Sequence, residues 1–270
     1  MPSDTVAKLV YFLPSDGLDR GLDTNGTIAK SAASFLIWFA GQTRWTFRMD
    51  TYGGQPDILF FKSTLTNAQI LALGGNNVAI GELQAELAKA GFCLSGKRCL
   101  VYYDGGSSSS PLCGQATGLN GIGALYLQAT NGNAQLLDCR VPFVTSLTAP
   151  PGYWEMVGAH ELGHTAGAVD VNAPDYDHGL CSNSSSHINK PNDLMYGCNG
   201  WSPQYVDQSG DNYFGDLVPA GVINIKNDPV MMPAPASMMA QARIQAQASL
   251  RVGPPPVFPA LGNDLVIRRR

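Results

Sequence analysis

His160 and His164 stand four residues apart in the stretch His160-Glu161-Leu162-Gly163-His164, with Glu161 directly after the first histidine. Residues at this spacing on a helix project from one face, one turn apart, so the two imidazoles can share one ion. Imidazole is a borderline-soft nitrogen ligand that suits zinc. A catalytic zinc takes three protein ligands and keeps one position for water, whose pKa it lowers while polarising a nearby carbonyl. Glu161, beside the first ligand, is placed to take the proton of that water. The chemistry implied is metal-assisted hydrolysis. All four histidines of the chain, His160, His164, His178 and His187, fall in one segment, which favours a shared site over scattered structural use.

No Glu follows Glu161, so an arrangement with a downstream Glu as third ligand, as in thermolysin-like enzymes, is excluded. His or Asp remains. The stretch HELGHTAGAVD puts Gly167 eighth and Asp170 eleventh. This resembles the metzincin pattern HExxHxxGxxH/D of zinc peptidases, and the Asp form resembles the small secreted snapalysin-type enzymes. Gly167 can take the left-handed conformation that ends a helix and turns the chain back. Asp193-Leu194-Met195-Tyr196-Gly197 resembles the Met-turn of the same family, which implies that Met195 forms an apolar floor beneath the zinc ligands. Tyr196 is a candidate oxyanion donor, although in the metzincins that use such a Tyr it usually stands two residues past the Met, and here it is adjacent.

Asp170 has a rival for the third metal position. His187, in SSSHINKPNDLMYG, offers a neutral imidazole that would complete a three-His site. If His187 binds, Asp170 becomes an outer hydrogen-bond acceptor or a residue of the loop after the helix. His178, in DYDHG, reads as a surface-loop histidine. Asp207, Asp211 and Asp216 raise the possibility of calcium, but their spacing misses the EF-hand loop and favours a solvated loop.

The elements that must position these residues follow from patterning. Residues 5–13, TVAKLVYFL, read as a strand closed by Pro14-Ser15-Asp16-Gly17. Residues 27–40 and 77–91 carry apolar residues at helical spacing. Strands are expected at 46–52, 57–62 and 99–104, the first two separated by Gly53-Gly54-Gln55-Pro56 and able to pair. Residues 105–120 read as a Gly/Ser-rich loop, followed by a hairpin turning at Asn131-Gly132. A helix over 153–166 carries the two histidines. Strands alternating with helices predict an α+β (mixed α/β) domain. The metzincin resemblance implies a twisted mixed sheet with packed helices above an irregular zinc-binding C-terminal subdomain. The expected organisation is one domain over 1–227, dividing near residue 167, with a Pro-rich tail over 228–270 that carries a possible helix at 236–250.

Composition limits the alternatives. The 270 residues include 17 Lys and Arg against 21 Asp and Glu, a formal charge of −4, which leaves no basic footprint for nucleic acid. The longest apolar run, near residues 35–40, is far below the roughly 18 residues that span a bilayer. Residues 1–10 hold no basic region followed by a long apolar stretch, so no signal peptide is read there. Six cysteines match no CxxC metal or redox spacing. They suit three disulfides, most simply 93 with 99, 113 with 139 and 181 with 198, and a secreted protein. The expectation is a zinc endopeptidase acting on a peptide or protein. The alternative is a non-catalytic binding or adhesive domain on the same scaffold with a structural zinc.

Overall fold

The computed structural model describes residues 5–74, 79–94, 97–106, 113–129, 139–179, 186–198 and 201–252. In chain order the elements are β1 (Val6–Leu13), α1 (Thr27–Thr43), β2 (Trp45–Phe47), β3 (Thr51–Tyr52), β4 (Gln55–Pro56), β5 (Ile58–Lys62), α2 (Asn67–Leu73), α3 (Ile80–Lys89), β6 (Lys97–Tyr103), β7 (Gly114–Ala116), β8 (Ile122–Tyr126), α4 (Tyr153–Thr165), β9 (Met231–Pro233) and α5 (Ala236–Val252). The mixed α+β class expected from the element order is what forms.

The main sheet has five strands in the order β5-β1-β6-β8-β7. β1 pairs in parallel with β5 on one side and β6 on the other, β6 pairs in parallel with β8, and β7 closes the edge antiparallel to β8. β1 and β6 are apolar along most of their length because both of their faces are covered, the pattern of interior parallel strands. α1 and α4 pack on each other, and α4 lies across β6, β7 and β8. Close packing there depends on a small residue: a Cβ on Gly158 would lie 3.3 Å from Phe35 of α1 and 3.4 Å from Leu100 of β6.

Two expectations need correction, and one helix forms where none was expected. The segments at 46–52 and 57–62 do not form a strand pair: β5 joins β1, and β2 pairs antiparallel with the distant β9. Gly53 and Gly54, at φ 58° and 80°, close only the short β3–β4 hairpin, since two adjacent positive φ values make a tight two-residue turn. The Gly/Ser-rich stretch contains β7, whose three buried residues carry no alternation to betray a strand. α2 was not anticipated from periodicity, being too short to show one. Its start is nevertheless written locally, with Thr66 and Gln69 exchanging hydrogen bonds as a capping box. The turn at Asn131-Gly132 and most of the second arm of the hairpin expected there lie outside the described residues, and residues 139–141, its end, are not strand.

Two disulfides form as the neighbour pairing anticipates, Cys93 with Cys99 and Cys113 with Cys139. Cys198 is also disulfide-bonded; its expected partner, Cys181, lies outside the described residues. Such bonds are compatible with an extracellular protein. Residues 231–252 fold back on the rest of the chain: β9 pairs with β2, and α5 packs on α1, where the amide of Gln245 donates to the Ser34 carbonyl at 3.4 Å. No helix among the described residues is long and apolar enough to cross a membrane. Because Gly158 sets the distance between α4, α1 and the sheet, Gly158→Val is expected to cost about 1–3 kcal/mol by overpacking, measured as a lower urea midpoint.

Candidate metal centre

Every residue of α4 is buried, so it has no solvent face and no amphipathic stripe. Its polar side chains therefore need partners. Glu155 in the first turn accepts from the Gly152 N–H at 3.0 Å and the Val144 N–H at 3.4 Å, and Trp154 Nε1 donates to the Val141 carbonyl at 2.9 Å. These contacts fasten the segment before the helix to its start. Burial still raises the Glu155 carboxyl above the usual carboxylate range, against the hydrogen bonds that lower it.

At the other end, His160 and His164 bring their Nε2 atoms within 3.0 Å. His160 Nδ1 lies 2.7 Å from the Leu194 carbonyl and His164 Nδ1 lies 2.7 Å from the Ala168 carbonyl. A carbonyl oxygen only accepts, so each Nδ1 carries the proton and each Nε2 presents its lone pair. His187 Nε2 lies 3.2 Å from that of His160. One ligand atom from each of the three residues falls within 4.8 Å of the others, and the three are 0%, 1% and 1% exposed. With zinc–nitrogen bonds of about 2.0–2.1 Å, ligand atoms in a tetrahedron stand roughly 3.3–3.4 Å apart. The two measured separations are close to that edge length, and three imidazoles are a donor set that suits zinc.

The turn after α4 decides which residues join. Gly167, at φ 98°, ends the helix in a Schellman arrangement, with Ala168 N–H donating to the Gly163 carbonyl at 3.1 Å and Gly167 N–H to the His164 carbonyl at 3.0 Å. The reversal aims the Ala168 carbonyl at His164. It leaves Asp170 outside the cluster, where its Oδ1 accepts from the backbone N–H of Asn172 at 2.8 Å and from that residue's side-chain amide at 2.9 Å. Of the two rivals for the third position, His187 is the one brought to the pair.

His187 arrives on a segment tied to 193–197: Ile188 N–H donates to the Met195 carbonyl at 3.0 Å, and Asp177 N–H to the His187 carbonyl at 2.8 Å. Met195 is fully buried, and a Cβ on Gly163, between the two histidines of α4, would lie 3.3 Å from its Sδ. Met195 is thus packed against the helix at the level of the site. Asp193 holds this turn. Its Oδ1 accepts from Met195 N–H and the Tyr213 hydroxyl, each at 2.8 Å, and its Oδ2 accepts from Gln208 N–H at 2.8 Å. Trp201, which the sequence reading did not single out, donates from Nε1 to the Leu194 carbonyl at 3.0 Å, the same oxygen that receives His160. Nothing in its sequence neighbourhood marks that role. Tyr196 is half-buried against the core.

Glu161 is fully buried beside His160. A Cβ on Gly114 of β7 would lie 2.4 Å from Glu161 Oε1, so the carboxylate rests over the edge strand where only glycine leaves room. His178 is exposed and packs edge-on against Tyr176. Asp207 and Asp211 both accept from the side-chain amide of Asn212, and Asp216 lies apart, so the three do not form one site. Asp207 accepts from the backbone N–H groups of Gly210, Asn212, Tyr213 and Phe214, Asp211 from the amide of Asn212, and Asp216 pairs with Lys226. Among the described residues the three histidines are the group able to hold a metal. A cleft of about 550 Å³ opens onto His164 and runs between the 117–121 turn, residues 167–170 and Ile223.

No protein-family model matches the chain, and no curated protein matches it. Solved structures give loose matches. A catalytically inactive OgpA from Akkermansia muciniphila in complex with an O-glycopeptide substrate aligns with a TM-score of 0.38 at 16% identity, over 62% of this chain and 49% of that one. The wild-type OgpA aligns with 0.36 at 17% identity. A chaperone–substrate complex aligns with 0.34 at 14% identity, over 89% of this chain and 35% of that one. The chain thus spans about half the length of the OgpA structures. Alignments this loose say nothing about chemistry, which has to be read from the residues of the site.

Two outcomes are expected. His187→Ala should weaken zinc binding by more than the roughly 10–100-fold typical of losing an outer hydrogen-bond partner of a ligand, measured by chelator competition. The second concerns Asp193, whose carboxyl burial pushes up to about 8 against its hydrogen bonds. A folded-state value raised above the unfolded one favours the protonated form. The associated stability is fully present below about pH 4 and is lost as pH rises through about 8. In metal-free protein, urea unfolding of the wild type relative to Asp193→Asn should therefore show a falling difference across that window.

Proposed function

We propose that this chain is a zinc-dependent endopeptidase of the metzincin type, secreted, with His160, His164 and His187 holding the metal and Glu161 acting as general base. The observation that carries the reading is the convergence of three buried Nε2 atoms, two of them on the helix turn that also carries the buried Glu161, with two of the rings fixed through Nδ1 to backbone carbonyls. Bound there, zinc would lower the pKa of a water and polarise the scissile carbonyl. Glu161 takes the proton from the attacking water on its carboxylate and passes it to the leaving amine. Gly114 gives that carboxylate its place over β7, so the proton is received at a defined position.

Met195, as the Met-turn residue, supplies an apolar floor that keeps the imidazoles from tilting, and Asp193 and Trp201 hold that floor and the Leu194 carbonyl in register. A purely structural zinc closes its coordination with a fourth protein ligand. Among the described residues three histidines form the cluster, and a cleft reaches one of them, which supports turnover over the binding-domain alternative.

Glu161→Gln should reduce peptide hydrolysis by at least about 10²–10⁴-fold while zinc content by mass spectrometry stays at one per chain. Loss of the metal in that variant, or cleavage that survives both it and a chelator, would sink the assignment. Gly114→Ala tests the seat of the base: pushed off β7, Glu161 should lose roughly 10² in kcat with zinc binding retained.

A further inference from the structure

The cleft that opens onto His164 has one charged residue among the described residues that line it, Asp170. The rest of its wall is polar but uncharged, glycine, or apolar, the apolar part being chiefly Leu119, Val169 and Ile223. Leu119 and Ile223 approach each other across Gly167, where a Cβ would lie 3.0 Å from Ile223 and 3.3 Å from Leu119. They close together over Gly167 and form one apolar wall of the cleft. Asp170 stands at the end of the 167–170 segment. Its Oδ1 is fixed by the two hydrogen bonds from Asn172, so the carboxylate is oriented before any ligand arrives. An apolar wall leading to a held carboxylate matches a side chain with a long aliphatic stem and a cationic head, which lays the stem on the wall and presents the charge.

We propose that Asp170 is a specificity-determining residue, selecting substrates with Lys or Arg at the position whose side chain enters the cleft beside His164. This rests on the peptidase reading, because a cleft bordered by a metal ligand lies next to the scissile bond. It also gives the eleventh residue of the HELGHTAGAVD stretch a use other than ligation. The cleft, at about 550 Å³, has room for either basic side chain. A glutamate or aspartate there would face Asp170 with no cation in the lining to relieve the repulsion.

The zinc-loaded chain is assayed on peptides identical except for Lys, Arg, norleucine or Glu at the varied position. Basic peptides should be favoured over norleucine by about 10–100-fold in kcat/KM, the value of one hydrogen-bonded charge pair. Asp170→Asn should shrink that ratio by a similar factor, mainly through KM, and Asp170→Lys should turn the preference towards Glu. Asn keeps the acceptor that holds Asn172, so zinc content in Asp170→Asn should equal that of the wild type. An unchanged ratio in Asp170→Asn, a wild type indifferent to the varied residue, or loss of zinc from Asp170→Asn would overturn the proposal. Should no peptide be cleaved, the peptidase reading fails on its own, and calorimetric binding to zinc-loaded Glu161→Gln still decides the specificity. A lysine peptide that binds no tighter than the norleucine peptide, or does not bind, overturns it.

Discussion

Two hydrogen bonds decide what the site can do: His160 Nδ1 to the Leu194 carbonyl and His164 Nδ1 to the Ala168 carbonyl. They put the protons on Nδ1 and turn the Nε2 lone pairs towards each other at 3.0 Å. Buried imidazole nitrogens at that distance are satisfied by a proton or a metal cation between them, so the fold holds a geometry that suits an ion. The two carbonyls have different origins. Ala168 is supplied locally by the reversal at Gly167. Leu194 comes from a remote turn and is itself held by Trp201 and by the bonds that Asp193 makes around it.

α4 is a costly element to bury, since Glu155, His160, Glu161 and His164 all leave water with it. For Glu155 and the two histidines that cost is offset by where the neighbours stand. Glu155 receives the N–H groups at the helix start, and the histidines find carbonyls. Glu161 lies over a glycine of the edge strand, and the surrounding contacts are made close by small residues: Gly158 towards α1 and the sheet, Gly163 towards Met195. Sheet, helix and turn can then meet at one place. α5 and β9 brace the same assembly from behind, through α1 and β2.

The segment after α4 has little regular structure, and carboxylates take over the work of a backbone ladder. Asp207 gathers four backbone N–H groups, and Asp193 gathers two and a tyrosine hydroxyl. Hydrogen bonds from backbone N–H groups to carboxyl oxygens order loops in this way, which explains how a stretch rich in Asp, Asn, Ser and Gly can position a histidine to within hydrogen-bond distance of another.

His160, Glu161 and His164 are legible because helix periodicity alone places them on one turn, and the helix, β1, α1 and β6 announce themselves by local patterning. Gly167 is legible for the same reason, as a left-handed helix end needs only its immediate neighbours. Where chain segments far apart must meet, local patterning carries no information. The sequence leaves Asp170 and His187 as equals, and only the direction of the chain after Gly167, together with the 186–197 ladder, brings one ring to the pair and turns the other side chain away. The pairing of β2 with β9, the strand hidden at Gly114–Ala116 and the service of Trp201 to His160 belong to the same class. Each is fixed by long-range packing and shared hydrogen bonds, whose energy lies in contacts that no window of neighbouring residues contains.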